Sequence, residues 1–202
     1  MVGNLNIDNI IENGKYLQYV FVNRKCIWTK SGRTFNDMNS RCLVGGHVQK
    51  KTPAYIGCET SIEFKDFQFF AKWHEIQIGF GLLGYELDKD ILKPRNKIYC
   101  PELCVMVPKA LNTFLVDSRA IRGELPQGVV WHKQREKYQA QIKIHNKNTY
   151  LGLFTTIEAA YNRYKEEKYK LRDKWVKRLE NKEFIVDPRV IEAIRVWTIS
   201  ED

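Results

Sequence analysis

The run GVVWHKQREKYQAQIKIHNKNTYLGLFTTIEAAYNRY, residues 128–164, constrains the fold more than any other part of this chain, because its apolar period lengthens within one short stretch. Tyr138, Ala140, Ile142 and Ile144 alternate with Gln139, Gln141, Lys143 and His145. That period of two predicts a strand with a dry face and a wet, polar and basic face. Residues 146–148 supply turn chemistry, and residues 149–154 return as a strand carrying Tyr150, Leu151 and Phe154. Thr155 with Glu158 fits a capping box, in which the hydroxyl and the carboxylate satisfy orphan backbone N–H groups at a helix start. Ile157, Ala160, Tyr161 and Tyr164 then recur at spacings of three and four, one apolar stripe to lie on the dry face of the sheet. Small Ala159 and Ala160 permit close approach.

The chain has a formal charge of +9, and residues 122–182 concentrate the excess, with 15 Lys/Arg against 7 Asp/Glu. Such a balance favours polyanionic partners, since cationic side chains displace counterions condensed on a phosphate backbone. The segment KEEKYKLRDKWVKRL, residues 165–179, also fits a solvated helix with i,i+4 ion pairs. At 202 residues, 44% of them hydrophobic, the chain suits one large domain or two small ones with a packed core. It is not a disordered composition. No apolar stretch is long enough to span a bilayer, and the first fifteen residues lack the layout of a secretory signal, so a soluble intracellular protein is expected. Five cysteines, at 26, 42, 58, 100 and 104, form an odd set without a CxxC pair, which argues for reduced thiols rather than a disulfide scaffold.

Within residues 128–164, Gly128-Val129, the strand Tyr138-x-Ala140-x-Ile142-Lys143, Leu151-Gly152-x-Phe154, and Thr156-x-Glu158-Ala159-Ala160 leading to Tyr164 resemble the plant ethylene-response-factor (APETALA-like, integrase-type) DNA-binding domain, a form of which occurs in phage and integrase proteins. The resemblance implies a three-stranded sheet that enters the major groove of double-stranded DNA. By position it makes Lys143 the leading contact, with His132, Gln141, Asn148 and Tyr150 behind it. Val130 and His132 stand where arginines are usual, and Asn148 where another is common, so the fold carries over further than any target sequence.

The first 120 residues read as a different unit. Residues 15–29 are strand-like, Ser31-Gly32 is expected to break them, and residues 34–42 suit a short helix. Thr60 with Glu63 is a second capping-box candidate, opening a helix that places Phe64, Phe67, Phe70, Ala71, Trp73 and His74 together as core. Glycines 79, 81 and 84 follow, then the acidic strand-like segment ELDKDIL, a turn-rich stretch over 93–97, and a helix from Pro108. A carboxylate and an amide brought together across a hairpin and a helix are what a hard divalent cation needs for oxygen ligation, and such a cation could clamp a scissile phosphate.

The element Tyr99-Cys100-Pro101-Glu102-Leu103-Cys104 resembles the Tyr-Ser-Pro-Glu-x-Cys element of HNH, or His-Me finger, nucleases of the phage homing-endonuclease type. Looser likeness extends through Met38-x-x-Arg41-Cys42, Tyr55-x-Gly57-Cys58 and Phe67-x-x-Phe70-x-x-Trp73. The resemblance implies a ββα-metal domain hydrolysing phosphodiester bonds, with Asp88 and Asn112 as ligands of Mg2+ or Mn2+. Lys89 stands where the general-base histidine is expected. With Asp88 and Asp90 alongside, a lysine is held protonated and suits a phosphate contact or a charge stabiliser better than a base. His74, Asp90 or a metal-bound water are the candidates for the missing role, and a binding-only protein, a regulator or phage accessory factor, is the alternative. Cys42, Cys58, Cys100 and Cys104 lack the paired spacing of a structural Zn2+ knuckle and suit buried thiols, and His47, His132 and His145 are too dispersed for a metal cluster.

The expected class is therefore α+β: a ββα-metal-like domain over residues 1–120, a sheet-and-helix DNA-binding domain over 121–182, and a helical extension over 183–202. The join falls near residues 118–127, a polar stretch with Gly and Pro. Asp187-Pro188 reads as a helix start, and Val190, Ile191, Ile194 and Trp197 as a stripe that packs back on the chain or pairs with a second copy. No small-molecule cofactor is expected.

Overall fold

A computed structural model of the chain describes residues 7–116, 123–144 and 147–199. Residues 118–122 of the expected join, the turn and wet-face residues His145 and Asn146, and the first six residues lie outside the described ones. The protein is α+β, its strands gathered in small separate sheets. It divides into two compact units, Met1–Phe114 with Phe184–Val190, and Leu115–Glu183 with Ile191–Asp202. Among the described residues no helix is long and apolar enough to cross a membrane.

The first unit opens with two antiparallel pairs, β1 (Ile11–Glu12) with β2 (Lys15–Tyr16), and β3 (Tyr19–Val22) with β4 (Lys25–Trp28). Asn23 and Arg24 both adopt positive φ at the β3–β4 turn, the geometry of a two-residue hairpin loop. Ser31-Gly32, expected as a breaker, instead lies in the first turn of α1 (Lys30–Cys42). The reason is local. Thr29 caps that helix by accepting from the Gly32 N–H at 3.0 Å while its hydroxyl donates to the Leu17 carbonyl at 2.8 Å. A Cβ on residue 32 would fall 1.9 Å from the Gln18 carbonyl oxygen, so the helix can begin against that strand backbone only with glycine.

The chain continues through α2 (His47–Lys51), opened by an exposed His47, a 3₁₀ turn (Pro53–Tyr55) and β5 (Glu59–Thr60). The helix expected from Thr60 is two helices, α3 (Ile62–Lys65) and α4 (Phe67–Glu75). Ser61, not Thr60, caps the first by accepting from the Phe64 N–H, and Asp66 ends it and caps the second through the Gln68 N–H. Thr60 is taken up instead in the parallel pairing of β5 with β7 (Ile98–Tyr99). β6 (Tyr85–Asp88) pairs antiparallel with β8 (Val105–Pro108), which runs into α5 (Lys109–Leu115). Met38, Cys58, Phe64, Phe70, Leu87, Tyr99, Cys104 and Met106 form the core of this unit, with Cys42, Tyr55 and Trp73 packed against it. Of the residues quoted for the nuclease resemblance, Met38, Cys42, Tyr55, Cys58, Phe70, Trp73, Tyr99 and Cys104 belong to this cluster or pack against it.

The second unit is built on an antiparallel sheet in the order β11 (Lys147–Phe154), β10 (Lys137–Ile144), β9 (Val129–His132), with α6 (Ile157–Glu180) on one face. The helix starts one residue later than the capping-box pattern suggests. Thr156, not Thr155, accepts from the Ala159 N–H at 3.1 Å, which leaves Glu158 in the first turn where its charge meets the positive end of the helix dipole. α6 fuses the apolar stripe and the charged run into one helix, and that run carries side-chain pairs such as Arg163–Glu167 at 3.3 Å and Lys170–Glu167 at 3.6 Å. Asp187 opens α7 (Pro188–Val196) by accepting from the Arg189 N–H at 2.9 Å. Val190 and Ile194 are fully buried, so the chain itself covers the heart of that stripe.

Helix and sheet approach closely because Ala140 and Ala160 face each other with no accessible surface. The tightest contact is at Gly128, where φ is +80° and an added Cβ would lie 2.0 Å from the Tyr164 ring. Gly128→Ala is therefore expected to lower the urea midpoint by the equivalent of about 2–4 kcal/mol, combining overpacking with a left-handed backbone that alanine disfavours. Gly123→Ala, at φ +75° but facing open space, is the control and should cost about 1 kcal/mol.

Candidate nucleic-acid interface and the acidic strand

The strand register decides which side chains share the sheet face opposite α6. Across β10–β11, Gln141 lies opposite Tyr150 and Lys143 opposite Asn148; across β10–β9, Lys137 lies opposite His132 and Gln139 opposite Val130. Directly paired residues point the same way, so His132, Gln141, Lys143, Asn148 and Tyr150 all occupy one face. Ala140 and Ile142, on the other parity, are buried against α6. Lys143 and Asn148 are exposed, and Tyr150 retains 60% of its surface. The face also carries Lys137 and holds no carboxylate.

A bulge makes this possible. Tyr150 and Leu151 are adjacent apolar residues that a regular strand would send to opposite faces in a fixed alternation set by Gly152 and Phe154. The register instead shifts between Ala140 and Gln141, leaving Leu151 without an opposite residue. Leu151 packs on the helix side, while Tyr150 and Asn148 turn to the wet side.

The acidic segment of the first unit is more closed. Asp88 ends β6, is buried, and its Oδ1 accepts from the Ile91 N–H at 2.7 Å and the Asp90 N–H at 2.9 Å. Burial, with the Asp90 charge beside it, raises its pKa to about 6 against the pull of those N–H groups and of Lys89. Lys89 is only 5% exposed: its ammonium donates to the Asn96 carbonyl at 2.8 Å, pairs with Asp90 at 3.1 Å, and lies over the Tyr99 ring. Asn96 closes the loop by donating back to the Lys89 carbonyl at 2.7 Å. In this geometry the ammonium expected as a phosphate contact or charge stabiliser is held inside the turn by Asn96, Asp90 and the Tyr99 ring.

Asn112, on α5, donates to Glu86 Oε1 at 2.7 Å. Glu86 and Asp88 sit two apart on β6 and face the same side, so Glu86 is the acidic residue that the sequence left unnamed within its acidic segment and the one that Asn112 engages. His74 is not turned toward this strand as a base. Its Nδ1 lies 2.9 Å from the Ser31 hydroxyl, its ring stacks on Phe70 and meets Phe80 edge-on, and burial lowers its pKa to about 4. The neutral imidazole is a core group.

No group of three or more His, Cys, Asp or Glu that could hold a metal ion occurs among the described residues. As folded, Asp88 Oδ1 accepts from backbone N–H groups and Asn112 meets Glu86 through its Nδ2, so the Asn112 Oδ1, the atom a hard cation would take, has no part in that bond. Cys58 and Cys104 are buried, and burial raises the pKa of Cys42 to about 11 and those of Cys58, Cys100 and Cys104 as well, so these sulfurs are protonated thiols. Compared with known proteins, the chain matches no family model, no curated protein and no solved structure.

The buried carboxylate has a measurable signature. A folded-state pKa of about 6 against the usual 3.8 means that ionising Asp88 opposes folding, a penalty that grows as pH rises from 3.8 to 6, is complete above that, and amounts to about 3 kcal/mol. His74 acts oppositely, costing stability as pH falls from 6.5 toward 4. Asp88→Asn keeps the Oδ1 acceptor and should be more stable than the parent protein at pH 7.5, with the gain gone by pH 4. Urea unfolding across that range checks it, and a constant difference at all pH values would contradict it.

Proposed function

We propose that the protein binds double-stranded DNA by laying the wet face of β9–β10–β11 into the major groove. The observation that carries this is the register: His132, Gln141, Lys143, Asn148 and Tyr150, scattered over nineteen residues, share one accessible face without a carboxylate. Three strands at a spacing of about 4.8 Å span about 10 Å, which suits a groove about 12 Å wide. The amides of Gln141 and Asn148 match the donor–acceptor pair on the adenine edge, and Lys143 suits guanine or a phosphate. The likeness to the ethylene-response-factor type of domain belongs to the same reading. Lys143→Ala should weaken a short duplex about tenfold at low salt and reduce the slope of log affinity against log salt by about 1. An unchanged affinity and slope would remove the groove-facing strand.

A second reading, metal-dependent nicking or cleavage of the bound DNA by an HNH-type first unit, is favoured by one observation: Glu86 and Asp88 line one side of β6 and Asn112 is hydrogen-bonded to Glu86. It leaves the water-activating group unassigned, with Lys89 at the base position held inside the turn, so binding without cleavage is the reading we prefer. Supercoiled plasmid incubated with Mg2+ or Mn2+ should remain intact. Nicking that is lost in both Asp88→Ala and Asn112→Ala would establish the nuclease instead.

A further inference from the structure

The β3–β4 hairpin lies outside both sites described above and exposes aromatic surface that the fold does not use. Tyr19 and Phe21 alternate on β3, and Tyr19 pairs directly with Trp28 on β4, so the three rings share one hairpin face. Phe21 keeps 70% of its surface and Tyr19 44%. The rings form a continuous ladder: Phe21 to Tyr19 at 5.8 Å, Tyr19 to Trp28 at 5.4 Å, and the Arg33 guanidinium over Trp28 at 5.2 Å. The turn adds Arg24 and Lys25. Residues 15–33 contain five Lys/Arg and no Asp or Glu.

An exposed ladder of this kind is rigid at its base. Thr29 is completely buried, its hydroxyl lies within hydrogen-bonding distance of both the Leu17 and Gln18 carbonyls, and its N–H donates to the Gln18 carbonyl at 2.9 Å. Gly32 packs directly on the same Gln18 backbone. The platform therefore does not need to be ordered by a ligand. Lys30 is paired with Asp8 at 2.6 Å, which leaves Arg24, Lys25 and Arg33 as the cations of the face. Accessible rings beside such cations are the combination that takes up single-stranded nucleic acid, because unpaired bases offer π-faces while the backbone meets the positive charge. Paired bases are stacked on each other and leave no face for Phe21.

We infer that the hairpin face formed by Tyr19, Phe21 and Trp28, with Arg24, Lys25 and Arg33, is a binding site for unpaired DNA bases, separate from the sheet of the second unit. Phe21 is the outermost rung and takes the first base. The site does not rest on the duplex-binding proposal, and the two can fail independently.

The test is fluorescence anisotropy of the full chain with a labelled twelve-nucleotide oligo-dT and with a mixed-sequence duplex. Phe21→Ala should weaken oligo-dT binding about tenfold, the loss expected for one stacked base, and leave duplex binding unchanged. Phe21→Tyr should restore it, since stacking needs the ring and not its identity, whereas Lys143→Ala should leave oligo-dT binding unaltered. Phe21 is exposed, so the alanine variant is expected to unfold at the parent midpoint, which circular dichroism verifies. Absence of oligo-dT binding, or equal binding by Phe21→Ala, overturns the inference. So does a loss of self-association in Phe21→Ala without loss of oligo-dT binding, which would make the face an interface between copies of the chain.

Discussion

The contact between the Tyr164 ring and the Gly128 backbone fixes which side of the second-unit sheet is inside. A strand alternates strictly, so seating one aromatic ring against one glycine, with Ala140 and Ala160 closing the gap, commits Ile142 inward and Gln141 and Lys143 outward in the same stroke. The polar face is a by-product of the packing on the opposite face. Its geometry is consequently as well determined as the core, because a slip of one residue along β10 would bury Lys143 and expose Ile142.

The first unit solves a different problem, the burial of charge in a turn with little secondary structure. Lys89, Asp90 and Asn96 tie the segment between β6 and β7 through side chain to backbone bonds, and Asp88 caps its start. Such a network replaces the ladder that short strands cannot supply, and each member satisfies another's buried polar group. Near neutral pH Asp88 is ionised in a site whose burial disfavours that charge. A buried carboxylate that costs stability is commonly retained for what it binds, which is why the nicking experiment bears on this strand even though Lys89, at the base position, is held inside the turn.

What the sequence made legible follows the strength of its periodicity. Alternation over residues 138–144 placed β10 and its faces correctly, and the three-to-four spacing after Ile157 placed α6. Caps were legible only to within one residue: Thr155 and Thr60 stand three residues before Glu158 and Glu63 and fit the capping box, yet the hydroxyls that cap belong to their neighbours Thr156 and Ser61, a choice made by strand ends that a local pattern does not contain. Gly32 misled for a related reason. Its role is set by the Gln18 carbonyl fourteen residues earlier, so a residue that locally suggests a break is in fact what lets a helix start there. At the acidic strand the residue types were legible and their partners were not, since only the fold reveals that the Asn112 Nδ2 donates to Glu86.

The unmatched Leu151 gives β11 two phases of alternation, one before it and one after. Pairing Leu151 regularly, without the bulge, would straighten the strand, yet every position on one side of it would exchange inside for outside. Tyr150 and Asn148 would then face α6, or Gly152 and Phe154 would face water. The extra residue thus works like a phase-shifter: it lets a short strand anchor its far end in the interior while presenting its near end to whatever lies beyond the protein.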